Sequence, residues 1–588
     1  MTYYMQKLIE NLSSEDERFL RSIYAPTIVA IPPTDAACTM TVTLDGEIRI
    51  YGTINKNKPE DKGDAVYISS KDAGLSWKMH FVSSPDVMCA ATYNKHSGRW
   101  IACSSVFNTQ HQLGKISDPG TYVFISNDGP DHVCAKSIKL SDLDLNILKK
   151  PLYIEEYDRW FILGEYRENL KEKFVHIFIS DDDGETWTEQ KLPHAPPFEI
   201  TPPHQGTRWQ EYSCEPTIAN LGNGKLMMLV RTSQNYHYVH YSYDGGSTWT
   251  DPVPSPFHGT ITMPVLFNHS DGRIILFWCN TQPLPELDHA TAMPMLDETE
   301  KNGVWEDVFT NRDANHLAIT SDGGLTWQGF RELLLNPIRN YADFRSIGGI
   351  ASRDKSVHQA QILELPFNKL LVCCGQGAAA RKVIILDLAW LYETNRFENF
   401  QLGLSNISTQ MYIKSNLGGY RGFSGHCAYN RTNGATLVPD PDMNHEEVLQ
   451  ICRMDDPRLV YPKQGAVWNF PIAKKGYVDI QFMILSSGIS LSLTDRWFNP
   501  VDEYVQEEAF FSIAIDSTFT TPNVWHTLRL EFDTQKNLIS LILDQKQISI
   551  SKAKNLAPMG LCYLHLQTLA ESCDYNGTYI KSLAMSAK

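Results

Sequence analysis

The feature that most constrains this chain is a short string that returns four times. The copies SKDAGLSW, SDDDGETW, SYDGGSTW and TSDGGLTW begin at Ser70, Ser180, Ser242 and Thr320. A shortened copy, SNDG, begins at Ser126, and successive copies lie about 55 to 80 residues apart. Self-similarity at a regular spacing is the signature of a repeat architecture, in which each copy marks one structural unit.

Each copy has the composition of a tight turn between two strands. Asp and Asn side chains bond their own backbone, and Gly supplies positive φ without steric cost. An alternating apolar segment such as VHIFIS or YVHYS precedes each turn, and the closing Ser/Thr-Trp begins the next strand. The sequence therefore predicts β-hairpins whose corner is closed by an aspartate and covered by an indole.

Six further apolar hairpins, each turning at Gly, Asn or Asp, accompany these turns. They begin at Cys38, Asp86, Pro151, Glu215, Met263 and Gln359. Six such units predict a six-bladed β-propeller, an all-β ring that leaves only short strand edges. We expect it to occupy residues 24–398, with the segment APTIVAIP near residue 25 completing the last blade.

The two ends of the chain differ from this repeat. Residues 1–23 carry charges throughout and predict a short amphipathic helix. Residues 399–588 contain alternating strands without the Asp turn, which predicts a β-sandwich of the laminin-G or concanavalin type. We expect this sandwich to be an accessory domain that binds carbohydrate, supports the propeller or forms a homo-oligomer.

Composition limits the partners. The net charge of −16 argues against nucleic acid or an anionic membrane as the main partner. No stretch of 18 apolar residues predicts a membrane span, and no secretory leader is visible. The twelve cysteines are scattered, which predicts free thiols in a cytoplasmic protein and neither metal nor cofactor. A leader preceding the given sequence would instead indicate secretion.

Repeated S-x-D-x-G-x-T-W strings on six blades resemble the sialidase (neuraminidase) superfamily. The resemblance implies an exo-acting glycoside hydrolase that releases terminal sialic acid or a related acidic sugar from a glycan. It also implies an arginine triad for the substrate carboxylate, an aspartate acid/base, and a tyrosine nucleophile activated by a glutamate. A fold does not establish an activity, so each of these positions must be found in this chain.

Four positions match the family pattern. The hairpin EPTIANLGNGKLMMLVR opens with Glu215 and closes with Arg231, so both side chains are expected at the same end of the axis. Arg312 precedes the turn of blade five and matches a second arginine of the triad. Asp86, near the first strand of blade two, matches the acid/base. Arginine suits this role because its planar guanidinium grips a carboxylate through two hydrogen bonds.

Two positions depart from the pattern. No arginine precedes the inner strand of blade one, so Arg167 or Arg345 is the candidate replacement. Gln359, preceded by His358, stands where the nucleophilic tyrosine is expected. Because an amide cannot attack an anomeric carbon, a loop tyrosine such as Tyr341 is required for the covalent route.

Three functions stay open on these residues. The first is glycoside hydrolysis, either through Tyr341 or Tyr212 or by direct attack of water with inversion. The second is a polysaccharide lyase acting on uronic-acid polymers, with His358 as the base that abstracts a proton. The third is a propeller that binds glycans without catalysis. Glu215, Arg231 and Arg312 at matching places favour the first.

Overall fold

The structure is a computed structural model of the chain. It describes residues 2–32, 40–54, 64–82, 91–106, 118–130, 136–168, 172–199, 201–204, 208, 212–285, 312–334, 356–375, 380–413, 430–442, 446–459 and 461–588. Two short helices, Met5–Asn11 and Ser14–Ser22, stand where the sequence predicts one. Their buried Leu8 and Leu20 pack against the first and last blades of the ring.

Six four-stranded antiparallel sheets follow, as predicted. From the axis outward, the strands of blades 1 to 3 are Met40–Val42, Ile48–Ile54, Asp64–Ser70 and Lys78–Phe81; Thr92–Asn94, Arg99–Val106, Gly120–Ser126 and Lys136–Ser141; and Leu152–Ile154, Arg159–Arg167, Lys173–Ser180 and Thr188–Lys191. Those of blades 4 to 6 are Cys214–Gly222, Lys225–Arg231, Tyr236–Ser242 and Val253–His258; Val265–Asn268, Ile274–Trp278, Asn315–Thr320 and Gln328–Leu334; and Ala360–Leu365, Lys369–Cys374, Lys382–Asp387 and Thr27–Ala30.

The outermost strand of blade 6 comes from the beginning of the chain. Thr27–Ala30 pairs antiparallel with Lys382–Asp387, with Thr27 opposite Ile385. This pairing joins the two ends of the propeller and closes the ring, as predicted for the segment near residue 25. Closure protects strand edges that would otherwise be open to another chain.

The four complete Asp turns have one geometry. In each, the first Ser or Thr hydroxyl donates to the Asp carboxylate at 2.7–2.8 Å. The same carboxylate accepts the amide of the residue before the Trp at 2.8–2.9 Å. Trp77, Trp187 and Trp327 also donate their indole N–H to the carbonyl of the turn's glycine. The turns link the two outer strands of their blades, and they are therefore structural corners remote from the axis.

The rest of the chain forms two facing sheets around one apolar core. The strands of the larger sheet are, in spatial order, Thr436–Pro439, Glu447–Arg453, Asp574–Ala587, Lys475–Ile484, His526–Asp533, Leu538–Leu543 and Lys546–Lys552, with Asn395–Glu398 also paired to Asp574–Ala587. Those of the smaller sheet are Ile407–Ser408, Gly465–Ala473, Leu561–Thr568, Ile489–Thr494 and Phe511–Ile515. The strand Asn395–Glu398 lies just before residue 399, where the sequence predicts that this domain begins.

The sandwich packs directly on blade 5. The buried Tyr563 hydroxyl donates to Glu332 at 2.7 Å and contacts the His316 ring nitrogen at 2.5 Å. Trp497 pairs with Thr281 and exchanges backbone hydrogen bonds with Asn280 and Gln282. Apolar residues of both domains share one buried cluster at this contact. Within the described residues, no helix has the length and apolar character needed to cross a membrane.

Candidate functional site

A channel runs along the axis of the ring. It encloses about 320 Å³ and is lined mainly by apolar residues of the innermost strands, among them Met40, Leu152, Leu266 and Ile362. The innermost strands all begin at one end of this axis, which we call the upper face. Residues that immediately precede these strands, or that end the second strands, therefore meet at the upper face.

Glu215 and Arg231 meet there as a buried ion pair. Arg231 Nη1 lies 2.9 Å from Glu215 Oε2, and both side chains are 5% exposed. The antiparallel register that sets Cys214 opposite Arg231 brings the two residues together. Glu215 has φ of +46°. A non-glycine residue is uncommon in this region, and such strain persists where the surroundings hold it and where function uses it.

The backbone of Glu215 is held from blade 3. Its amide N–H donates to Glu165 Oε2 at 2.7 Å, and Glu165 Oε1 accepts from Asn146 and Lys173 at 2.8 and 2.9 Å. Lys149 Nζ donates to the carbonyl of Glu215 at 3.3 Å. Sequence reasoning missed these supports, although a Glu inside the apolar strand RWFILGEYR was a signal for Glu165.

Lys149 also ties neighbouring blades together. Besides the Glu215 carbonyl, its ammonium reaches the carbonyls of Pro216 at 2.8 Å and Pro264 at 2.9 Å. These acceptors precede or begin the innermost strands of blades 4 and 5. One lysine of blade 3 therefore fixes the spacing of three adjacent blades at the upper face.

Arg312 lies at the upper face of blade 5. It is buried, and its Nε and Nη2 donate to the carbonyl of Ile261 at 3.1 and 2.5 Å. The following residue, Asp313, contacts two residues of the C-terminal domain: Tyr412 donates to it at 2.5 Å, and Arg431 forms an ion pair with it. A separate pair of strands in the C-terminal domain, Met411–Ile413 with Asn430–Thr432, thus helps to position the site.

His358 and Gln359 introduce blade 6 at the same face. His358 is fully buried, and its Nδ1 accepts the amide N–H of Met263 at 3.3 Å. A base needs a reachable lone pair, so this environment favours a structural role for His358. Gln359 is half-buried with φ of +62°, and Gly375 N–H bonds to its carbonyl at 3.2 Å.

The remaining candidates divide into two groups. Arg167 ends the second strand of blade 3 at the upper face and is half-buried. Asp86, Tyr341 and Arg345 lie outside the described residues. Tyr212 donates its hydroxyl to Glu172 at 3.1 Å and stacks on the His194 ring. That hydrogen bond engages the Tyr212 hydroxyl with a carboxylate other than Glu215.

Burial also lowers the pKa of two titratable groups near the site. Loss of solvent lowers the pKa of His237, beside Arg231, to about 3, so this imidazole is neutral at ordinary pH. Burial alone lowers the pKa of Lys150, which lines the channel, to about 8. Across the described parts of the chain, no group of three or more His, Cys, Asp or Glu side chains could hold a metal ion.

Comparison with known proteins agrees with the repeat. Residues 143–342, which include blades 3, 4 and 5, match the BNR repeat-like domain. No curated protein matches the sequence significantly.

Solved structures similar to this chain include two sialidases. The first is a Trypanosoma rangeli sialidase in complex with 2,3-difluorosialic acid, with 11% identity over 96% of this chain and 94% of that chain at a TM-score of 0.36. The second is the NanB sialidase of Streptococcus pneumoniae, with 10% identity over 65% of this chain and 73% of that chain at a TM-score of 0.36. The fold assignment rests on the strand order of this chain itself. The resemblance to BNR-repeat proteins that the sequence predicts is confirmed by this match, which covers residues 143–342 of the chain.

Proposed function

We propose that the propeller is an exo-acting glycoside hydrolase that releases a terminal acidic sugar, sialic acid or a relative of it, from a glycan. The observation that carries this proposal is the buried ion pair of Glu215 and Arg231 above the axial channel. A buried carboxylate in strained backbone, supported by a second layer of hydrogen bonds, is arranged as a preorganised group. An acidic sugar supplies the negative charge that a site rich in arginine and lysine attracts.

The chemistry follows from the residues at the upper face. Glu215 is the carboxylate that acts on the reacting centre or on its nucleophile. Arg231 and Arg312 provide positive charge for the sugar's carboxylate, with Arg167 or Arg345 as the candidate third cation. Both Arg231 and Arg312 are anchored to neighbouring groups, so they are set before substrate arrives.

Gln359 stands at the position expected for the tyrosine nucleophile. We propose that water attacks the anomeric carbon directly and inverts its configuration, unless Tyr341 supplies the nucleophile. Inverting enzymes separate their two carboxyl groups by about 6.5–9.5 Å to leave room for that water. Asp86 is the proposed partner of Glu215 in this pair.

Substrate panels test the proposal. Wild-type protein is incubated with 4-methylumbelliferyl sialoside, with umbelliferyl glycosides of uronic acids, and with uronic-acid polymers. Released fluorophore reports hydrolysis, and ultraviolet absorbance of an unsaturated uronic acid reports elimination. Hydrolysis that Glu215→Gln abolishes supports the proposal. Elimination indicates a lyase, and binding without turnover indicates a glycan-binding propeller; either outcome contradicts it.

Proton NMR of the first-formed sugar tests the mechanism. An inverted anomer supports attack by water. A retained anomer, or a glycosyl-tyrosine trapped with a fluorinated substrate, shows that a tyrosine has taken the role of nucleophile.

A further inference from the structure

The axial channel contains one cation for which the proposed chemistry gives no role. Lys150 directly precedes the innermost strand of blade 3 and lines the channel together with apolar side chains. Its neighbour Lys149 is engaged by three backbone carbonyls. In the described part of the chain, the ammonium of Lys150 has neither a hydrogen-bond acceptor nor a counter-charge, and burial is the one cause of its lowered pKa.

Most lysines can keep their ammonium group in bulk water. The long side chain can carry its charge to bulk water while its methylene groups stay on the protein. Lys150 instead lines the axial channel, and more than a third of its surface is accessible there. Because the channel lining is mainly apolar, this ammonium is available to an anionic ligand that enters the channel.

A second polar group faces the same channel from the opposite side of the ring. Gln361, in the innermost strand of blade 6, lines the cavity, and within the described residues its amide has no hydrogen-bond partner. Blades 3 and 6 stand opposite each other in a ring of six. Buried polar groups left without partners mark a place for water, an ion or a ligand group.

We propose that Lys150 binds an anionic group of the ligand, the carboxylate of an acidic sugar, at the upper end of the axial channel. This inference rests on the proposed function and extends its carboxylate recognition to a residue that the family pattern does not contain. Lys150 then adds a cation to the arginines already proposed for the sugar's carboxylate. A lysine suits this place because a compact ammonium gains strong attraction to an anion once both have lost water.

Binding measurements on the intact protein test this role. N-acetylneuraminic acid, glucuronic acid and the methyl ester of each are titrated by calorimetry against wild type, Lys150→Met, Lys150→Arg and Lys546→Met. Methionine fits an apolar cavity and removes only the charge, and Lys546 is an exposed lysine of the sandwich that serves as control. We expect Lys150→Met to weaken binding of the acid roughly tenfold or more. Lys150→Arg is expected to bind the acid within about threefold of wild type, since it keeps the charge.

The esters and a labelling experiment complete the test. The ester affinity is expected to be equal in wild type and Lys150→Met, because the ester carries no charge. Acetylation of Lys150 in wild type, followed by mass spectrometry, should be slowed by the acid and unaffected by the ester. This second measurement does not depend on the folding of a variant.

Several results overturn the proposal: unchanged acid affinity in Lys150→Met, equal binding of acid and ester by wild type, no binding of either acid, or acetylation that the acid does not slow. In each of these cases Lys150 does not bind the carboxylate of the ligand. If the acid binds in a manner that depends on Lys150 but no substrate is hydrolysed, the role of Lys150 is supported and the proposed hydrolase activity is contradicted. If substrate is hydrolysed equally by wild type and Lys150→Met, the hydrolase activity is supported and the role of Lys150 is contradicted.

Discussion

Blades 4 and 6 begin in the same way and differ in what their first residues carry. Glu215 and Gln359 each introduce an innermost strand with a left-handed backbone, at φ of +46° and +62°. In blade 4 the second strand ends in Arg231, which pairs with Glu215 at 2.9 Å. In blade 6 the second strand ends at Cys374 and is followed by Gly375, so the position that Arg231 occupies in blade 4 carries no guanidinium there.

The left-handed backbone and the ion pair are separate features of these positions. The shared left-handed conformation belongs to the way a chain enters the inner strand of a blade, because it occurs with a charged and with a neutral side chain. The ion pair belongs to blade 4 alone. We therefore expect strain to be common to both positions, and catalysis to depend on the side chain at one of them.

The largest expected effect follows from removing the charge at blade 4. Glu215→Gln keeps the shape of the side chain and loses the carboxylate, so kcat should fall about 10²- to 10⁴-fold. Steady-state kinetics on the best umbelliferyl substrate measures it, with Glu447→Gln, at an exposed glutamate of the sandwich, as control. Activity within threefold of wild type would remove Glu215 from the mechanism and leave the two blades equivalent.

Glycine at each position tests the shared strain. Gln359→Gly relieves the left-handed conformation and is expected to change the free energy of unfolding by less than about 1 kcal/mol, toward stability. Glu215→Gly relieves the same strain but takes the carboxylate from the buried Arg231, at a net loss of roughly 2–4 kcal/mol. Urea unfolding monitored by tryptophan fluorescence compares the two. Equal effects would show that the ion pair does not stabilise blade 4.

The guanidinium of blade 4 is tested by a change that keeps its charge. Arg231→Lys loses the planar fork, so kcat/KM should fall about 30-fold, which corresponds to roughly 2 kcal/mol of transition-state binding. Arg458→Lys, at an exposed ion pair, is the matched control. Unchanged kcat/KM in both Arg231→Lys and Arg312→Lys would contradict their assignment to the sugar's carboxylate.

The smallest effect is expected at the outer corner of blade 4. Asp244→Ala removes three hydrogen bonds of the turn, at a cost of about 1–2 kcal/mol, and leaves kcat unchanged. Thermal unfolding measures this cost, with the exposed Asp251→Ala as control. A loss of activity without loss of stability would link the corner to the site.

This last prediction also has a pH dependence. The bond from the Thr248 hydroxyl, with those from the turn amides and Ser242, holds the pKa of Asp244 below its ordinary value. A lowered pKa contributes stability above the unfolded value, and this contribution disappears as the pH falls through the folded value. The difference between wild type and Asp244→Ala should therefore shrink in acid, below about pH 4.

Much of the fold was readable from local chemistry. An Asp turn is built from residues within eight positions of each other, so its repetition predicted blades and their outer corners, and the six apolar hairpins predicted the number of blades. Glu215 and Arg231 were also predictable as neighbours, since one hairpin joins them. Glu165 and Lys149 were not, because they reach Glu215 from blade 3, about 50 and 66 residues away in the sequence.

Sequence alone determined that this chain is a six-fold repeat of antiparallel hairpins with a glutamate and an arginine at the two ends of one of them. Hydrogen bonding within a turn, and the alternation of apolar and polar residues along a strand, depend on residues a few positions apart. Both can therefore be recognised in the amino-acid sequence. Only the tertiary structure decided that Tyr412 and Arg431 of the C-terminal domain hold Asp313 beside Arg312, and that Lys150 lines the axial channel. Closure of the ring and docking of the second domain bring together groups that are distant in sequence, and burial then alters their charge and partners.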